Sequence, residues 1–87
     1  MIEIKSYIKK VLNKENQSLE DLINCLETIK NIGHVAVIKF DGERVQNLYT
    51  VFITLSDKKG KMIRVDGDNL KDSLIKSLKE YIKPDNL

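Results

Sequence analysis

A single cysteine, a single histidine and only two arginines in 87 residues withdraw several functions before any pattern is read. Cys25 cannot close an internal disulfide, so no cross-linked secreted framework exists. His34 has no second histidine to share a metal, and the chain carries no His/Cys cluster, no Gly-rich phosphate cradle and no GxSxG elbow. A Cys25–His34 pair would still need a third group to orient the base, and none is visible nine residues across a helix end. No catalytic residue, cofactor site or metal site is therefore assigned, and the chain reads as a non-enzyme. Long apolar runs are missing as well. The longest is Val35–Ile38, far below the roughly 20 residues of a membrane span, and Met1-Ile2-Glu3-Ile4-Lys5 does not open a signal peptide. A cytoplasmic protein with no membrane partner is expected.

Charge of one sign is also lacking. The net charge is +2, but residues 1–33 carry five basic and five acidic groups, 34–68 six and five, and 69–87 four and three. Thirteen of the 15 basic side chains are lysine, whereas base and phosphate recognition leans on the planar guanidinium of arginine. The abundance of Lys, Ile and Asn fits a codon bias towards A and T better than a binding surface.

What is present is a clear change of hydrophobic period. Ile4, Tyr7, Ile8, Val11 and Leu12 fall on one side of a helix over 2–13, although Ile2 and Ile4 would also suit the start of a strand. Ser18 with Asp21 forms a capping-box-like start for a second helix over 19–31, whose apolar face is Leu19, Leu22, Ile23, Leu26 and Ile29. Gly33 sits where a left-handed C-terminal cap belongs, and Cys25 lies at the edge of that face as a buried structural thiol. After Gly33 the period becomes two, giving strands at 34–40, 48–56 and 61–66 with no helix between them. A last helix over 69–83 begins at an Asp68 or Asn69 cap, buries Leu70, Leu74, Ile75, Leu78, Tyr81 and Ile82, and is stopped by Pro84.

The order α-α-β-β-β-α makes residues 1–87 one small α+β domain, a three-stranded antiparallel meander with helices on the face of Tyr49, Val51, Ile53, Leu55, Ile63 and Val65. A domain of this size has a net stability of about 5 kcal/mol and little room for a deep pocket. Asp57 and Gly60 suit a turn with 58–60 as the loop, which places 57 opposite 61, 55 opposite 63 and 53 opposite 65, with Gly60 left-handed. Two Asp-Gly sequences, Asp41-Gly42 and Asp66-Gly67, read as strand ends. Asp41, Glu43, Asp66 and Asp68 lack the spacing of a calcium loop and read as turn and capping groups.

Helix, three strands, helix resembles the order in double-stranded-RNA-binding domains, whose last helix opens on a Gly-Ser-Lys-Lys type motif. Here it opens Asp68-Asn69-Leu70-Lys71-Asp72. The order is also similar to that of small dimeric nucleoid-associated proteins, without a shared motif, and neither likeness assigns a family.

Two functions follow as expectations. The first is a protein–protein interaction module, either a homodimer or a small inhibitor, immunity or adaptor protein of a bacterial or phage kind that covers a site on a larger partner. Its interface would be the second sheet face, with Leu48, Phe52, Met62 and Arg64, joined by Val35 and Val37 or by Ala36, Ile38 and Phe40 according to the parity of the first strand. Helix one folded across that face would remove the surplus. The second is weak, sequence-independent nucleic-acid binding, with phosphate contacts from Lys58, Lys59 and Lys61 at the hairpin tip and from Lys76, Lys79 and Lys83 on the last helix. Asp57, Asp72 and Glu80 dilute both basic groups, which makes solvated surface the plainer reading.

Overall fold

A computed structural model describes residues 2–84, with side chains from Ile4 onward. Its elements are α1 (Ile2–Leu12), α2 (Leu19–Asn31), β1 (Val35–Phe40), β2 (Tyr49–Leu55), β3 (Lys61–Gly67) and α3 (Leu70–Tyr81), with a 3-10 turn at Ser56–Lys58. The strands form one antiparallel sheet in the order β1-β2-β3. Helix α2 lies against β1, α3 against β2 and β3, and α1 packs on α2 and α3. Ile2 and Ile4 belong to α1, which settles their ambiguity in favour of helix. All three helices therefore occupy one side.

The caps are where side-chain chemistry puts them. Ser18 Oγ accepts from the Asp21 N–H at 3.0 Å, Asn69 Oδ1 accepts from the Asp72 N–H at 2.9 Å, and Gly33 closes α2 at φ +102°. Between sheet and helices, Ile8, Leu22, Ile29, Val51, Ile53, Leu74 and Leu78 are wholly buried. Burial of each large aliphatic side chain contributes about 1.5–3 kcal/mol.

Two expectations need correction. On α2 the buried arc is Leu22, Cys25, Leu26 and Ile29, rotated towards the thiol, while Leu19 and Ile23 are exposed. The reason is the sheet's size: among the described residues no strand continues it beyond β1, so Ile23 lines an open groove with Ala36 and Ile38 instead of packing under a further strand. In the hairpin, Ile53 faces Ile63, Val51 faces Val65 and Leu55 faces Lys61, a register two residues away from the expected one. The connection uses five residues, because the 3-10 turn is followed by two left-handed residues, Lys59 (φ 56°) and Gly60 (φ 77°). Ser56 is drawn to the other side: its N–H donates to His34 Nδ1 at 3.1 Å and its Oγ to the Gly33 carbonyl at 2.9 Å. A shift of two preserves side-chain parity, so Ile53, Leu55, Ile63 and Val65 still share the inner face.

Candidate protein interface on the outer sheet face

The ladder register decides which side chains reach the outer face. Val35, Thr54 and Met62 form one cross-strand row, Val37, Phe52 and Arg64 the next, and Lys39, Thr50 and Asp66 the third. The parity of β1 is thereby fixed: Val35 and Val37 point outward, Ala36 and Ile38 inward. Phe40 shares the inner face, where its ring meets Tyr49 edge-on at 5.4 Å.

The face divides into a polar end and an apolar end. At the polar end the connection 41–48 carries Arg44 to Asp66 (3.5 Å) and Asp41 (3.2 Å), and Arg64 Nε reaches Asp66 at 3.2 Å. Thr50, only 1 % exposed, donates its hydroxyl to Asp66 at 2.6 Å. That hydrogen bond, with Arg64 and Arg44 beside it, lowers the Asp66 pKa below the ordinary value. Asp41 is lowered as well, first by the Glu43 N–H and then by Lys39 and Arg44. The same connection is tied down at its far end, where the Asn47 N–H donates to the Asp68 carboxylate. These carboxylates act as turn and pairing groups, and among the described residues no three His, Cys, Asp or Glu side chains converge as metal ligands.

At the apolar end no helix among the described residues covers the sheet. Met62 is 52 % exposed, Val35 51 % and Val37 43 %. Phe52 is half-buried, because the Arg64 guanidinium lies over its ring at 5.3 Å from the centroid. Of the residues expected at the interface, the structure brings Phe52, Met62 and Arg64 together. Leu48 is not with them: it precedes β2, half-buried, on the far side of the Thr50 row, where its carbonyl accepts from the Asp41 N–H at 2.8 Å. Val35 and Val37 complete the patch. Their signal in the sequence was Lys39, the one charge in β1, which marks the wet side of a strand otherwise apolar on both faces.

The two reactive residue types are placed structurally. Cys25 is fully buried and its thiol is pushed up to about 11, chiefly by burial, so it is protonated at neutral pH. His34 links the start of β1 to Ser56 and meets the Tyr81 ring edge-on at 6.2 Å. The lysines of the hairpin separate: Lys58 closes the 3-10 turn and Lys59 is left-handed, while Lys61 opens β3 and turns towards Lys76 and Lys79 of α3 and towards Lys83, which lies past the helix end at Tyr81 and not on the helix as expected. Comparison with protein-family models, with curated proteins and with solved structures finds no match for this chain.

Proposed function

We propose that the chain is a non-enzymatic protein–protein interaction module that works through the apolar end of its outer sheet face. One observation carries the reading: Val35, Val37, Phe52 and Met62 form a contiguous apolar surface, capped by Arg64, that no helix among the described residues covers. Aromatic, Met and Arg side chains are the types enriched where proteins meet. The surface is also small. Three strands about 4.8 Å apart, crossed by two side-chain rows about 6.6 Å apart, give a footprint of roughly 200 Å², against about 800 Å² per partner in a standard interface. A face of that size supports weak self-association, or docking on a larger protein that reaches beyond the sheet, as an inhibitor or adaptor would.

Sedimentation velocity across a concentration series separates these. A second copy seated face to face gives a reversible dimer in the high-micromolar range, lost in Val37→Asp and in Phe52→Asp. Val37→Asp is the cleaner variant, because the side chain is exposed on an edge strand and its loss leaves no cavity. A monomer at all concentrations assigns the face to a different protein, and dimerisation undisturbed by both variants contradicts the reading.

A further inference from the structure

We propose that the free edge of β3, with the lysine stripe of α3 beside it, is a docking groove for an extended acidic segment of a partner protein, which adds to the sheet as a fourth strand. The groove shares Met62 and Arg64 with the outer-face patch, but its occupant pairs along the edge of β3 instead of lying across the sheet.

The geometry begins with the sheet order. Among the described residues β3 pairs only with β2, so every second residue of Lys61–Gly67 turns its N–H and C=O away from the sheet without a strand partner there. A groove of about 620 Å³ runs along this edge. Its wall is the consecutive run Lys61 to Val65, with side chains from both faces of the strand, and its other side is Lys76, Lys79 and Glu80 of α3 with Lys83 just past the helix end. A groove lined by both parities of one strand follows the strand's edge, which is the place an added strand occupies.

Charge selects the occupant. Five cations, Lys61, Arg64, Lys76, Lys79 and Lys83, line the groove; among the described residues Arg64 pairs with Asp66 at 3.2 Å and Lys83 with Glu80 at 2.9 Å, which leaves the charge of Lys61, Lys76 and Lys79 to select the occupant. Lys61, Lys76 and Lys79 make no ion pair with a described residue. In a chain of net charge +2 this is a local concentration of positive charge that the segment-by-segment balance of the sequence conceals. The spacing suits a strand. Lys76 and Lys79 are about 4.5 Å apart along the axis of α3 at about 1.5 Å per residue, Lys83 extends the row past the helix end, and alternate residues of a strand recur every 6.6 Å or so. Two or three acidic residues at alternate positions therefore lie over the stripe, while the residues between them turn to the outer side, beside Met62 and Arg64. The floor argues against nucleic acid: Met62, Ile63 and Val65 are aliphatic, and no aromatic ring lines the groove for a base to stack on.

The test uses a fluorescein-labelled eight-residue peptide of alternating Glu and Val, read by anisotropy against the intact protein at low salt. Saturable binding is expected below millimolar concentration, at least tenfold weaker for the double variant Lys76→Glu, Lys79→Glu. It should also be at least tenfold weaker for the same peptide N-methylated at alternate residues along its pairing edge, and changed less than twofold by Lys58→Glu with Lys59→Glu. Amide shifts should concentrate in 61–67 and 76–83. No binding at millimolar peptide, or equal binding by the Lys76/Lys79 double variant, overturns the proposal. Equal binding of the methylated peptide overturns strand addition. A single-stranded oligothymidylate that binds more tightly than the peptide assigns the groove to nucleic acid instead.

Discussion

Gly67→Ala should destabilise the protein, and Ser73→Ala should remove that effect. Gly67 ends β3 opposite Tyr49 with no left-handed backbone, so alanine there meets no φ/ψ penalty. The obstacle is contact: a Cβ at Gly67 would stand 2.4 Å from Ser73 Oγ, about 1 Å short of ordinary van der Waals separation. Ser73 is 1 % exposed, and its hydroxyl donates to the Asn69 carbonyl at 2.8 Å in the first turn of α3. To make room the hydroxyl must rotate away and lose that bond where no water replaces it, which costs about 1–3 kcal/mol. The lower unfolded-state entropy of alanine returns about 0.4–1 kcal/mol, leaving a net loss near 1.5 kcal/mol, or about 6–12 °C in Tm for a domain of this size. Ser73→Ala alone should cost about 0.5 kcal/mol, because the Asn69 carbonyl keeps the Ser73 N–H at 3.0 Å. In the double variant the clash is gone while the entropy gain of alanine remains, so the stability should be about 0.4–1 kcal/mol above that of Ser73→Ala, a coupling of about 2 kcal/mol. Urea unfolding of the four proteins measures this directly. If Gly67→Ala costs as much in the Ser73→Ala background as in wild type, the contact is not the reason for glycine at 67.

Gly60→Val should cost about 1 kcal/mol or more, since φ there is +77°; chemical denaturation checks it, and Lys59→Gly should be neutral or slightly stabilising at the neighbouring left-handed position. Cys25, buried with its thiol pushed up to about 11, should react with a thiol reagent at pH 8 only at the rate of native-state opening and at once in denaturant; rapid native labelling would contradict its burial. Asp66 is lowered in the folded state, so its contribution to stability is present above the ordinary carboxylate range and is lost as pH falls through the folded value. NMR titration should find Asp66 below the usual Asp value of about 3.9, and Thr50→Val should raise it by removing the hydroxyl donor.

Most of the architecture was legible because local chemistry and hydrophobic period agree along the chain. Ser18, Gly33 and Asn69 end or begin helices by hydrogen bonding and backbone freedom that need no tertiary contact. The hairpin shows where this stops. Parity of Ile53 and Ile63 follows from the pattern, but the two-residue register depends on His34 and Gly33 capturing Ser56 from across the sheet, a contact with no local signal. The reason for glycine at 67 was equally hidden: it reads as a strand end, yet the requirement comes from Ser73 on the following helix. The outer face was half visible. Phe52, Met62 and Arg64 follow from β2 and β3, whereas Val35 and Val37 waited on the parity of β1, and the burial of Thr50 on a loop that carries Arg44 back over the sheet. The lysine groove required knowing that α3 runs beside β3, which brings residues 61 and 76–83 to one edge.

The central claim, that the outer sheet face meets another protein, is tested most directly by affinity capture from the source cell with tagged wild type and tagged Val37→Asp, each with and without nuclease. The account predicts a stoichiometric protein partner, or the untagged chain itself, retained by wild type after nuclease treatment and lost from Val37→Asp. Capture that nuclease abolishes, or that Val37→Asp leaves undiminished when Lys76→Glu and Lys79→Glu have also removed the β3 groove, would contradict it.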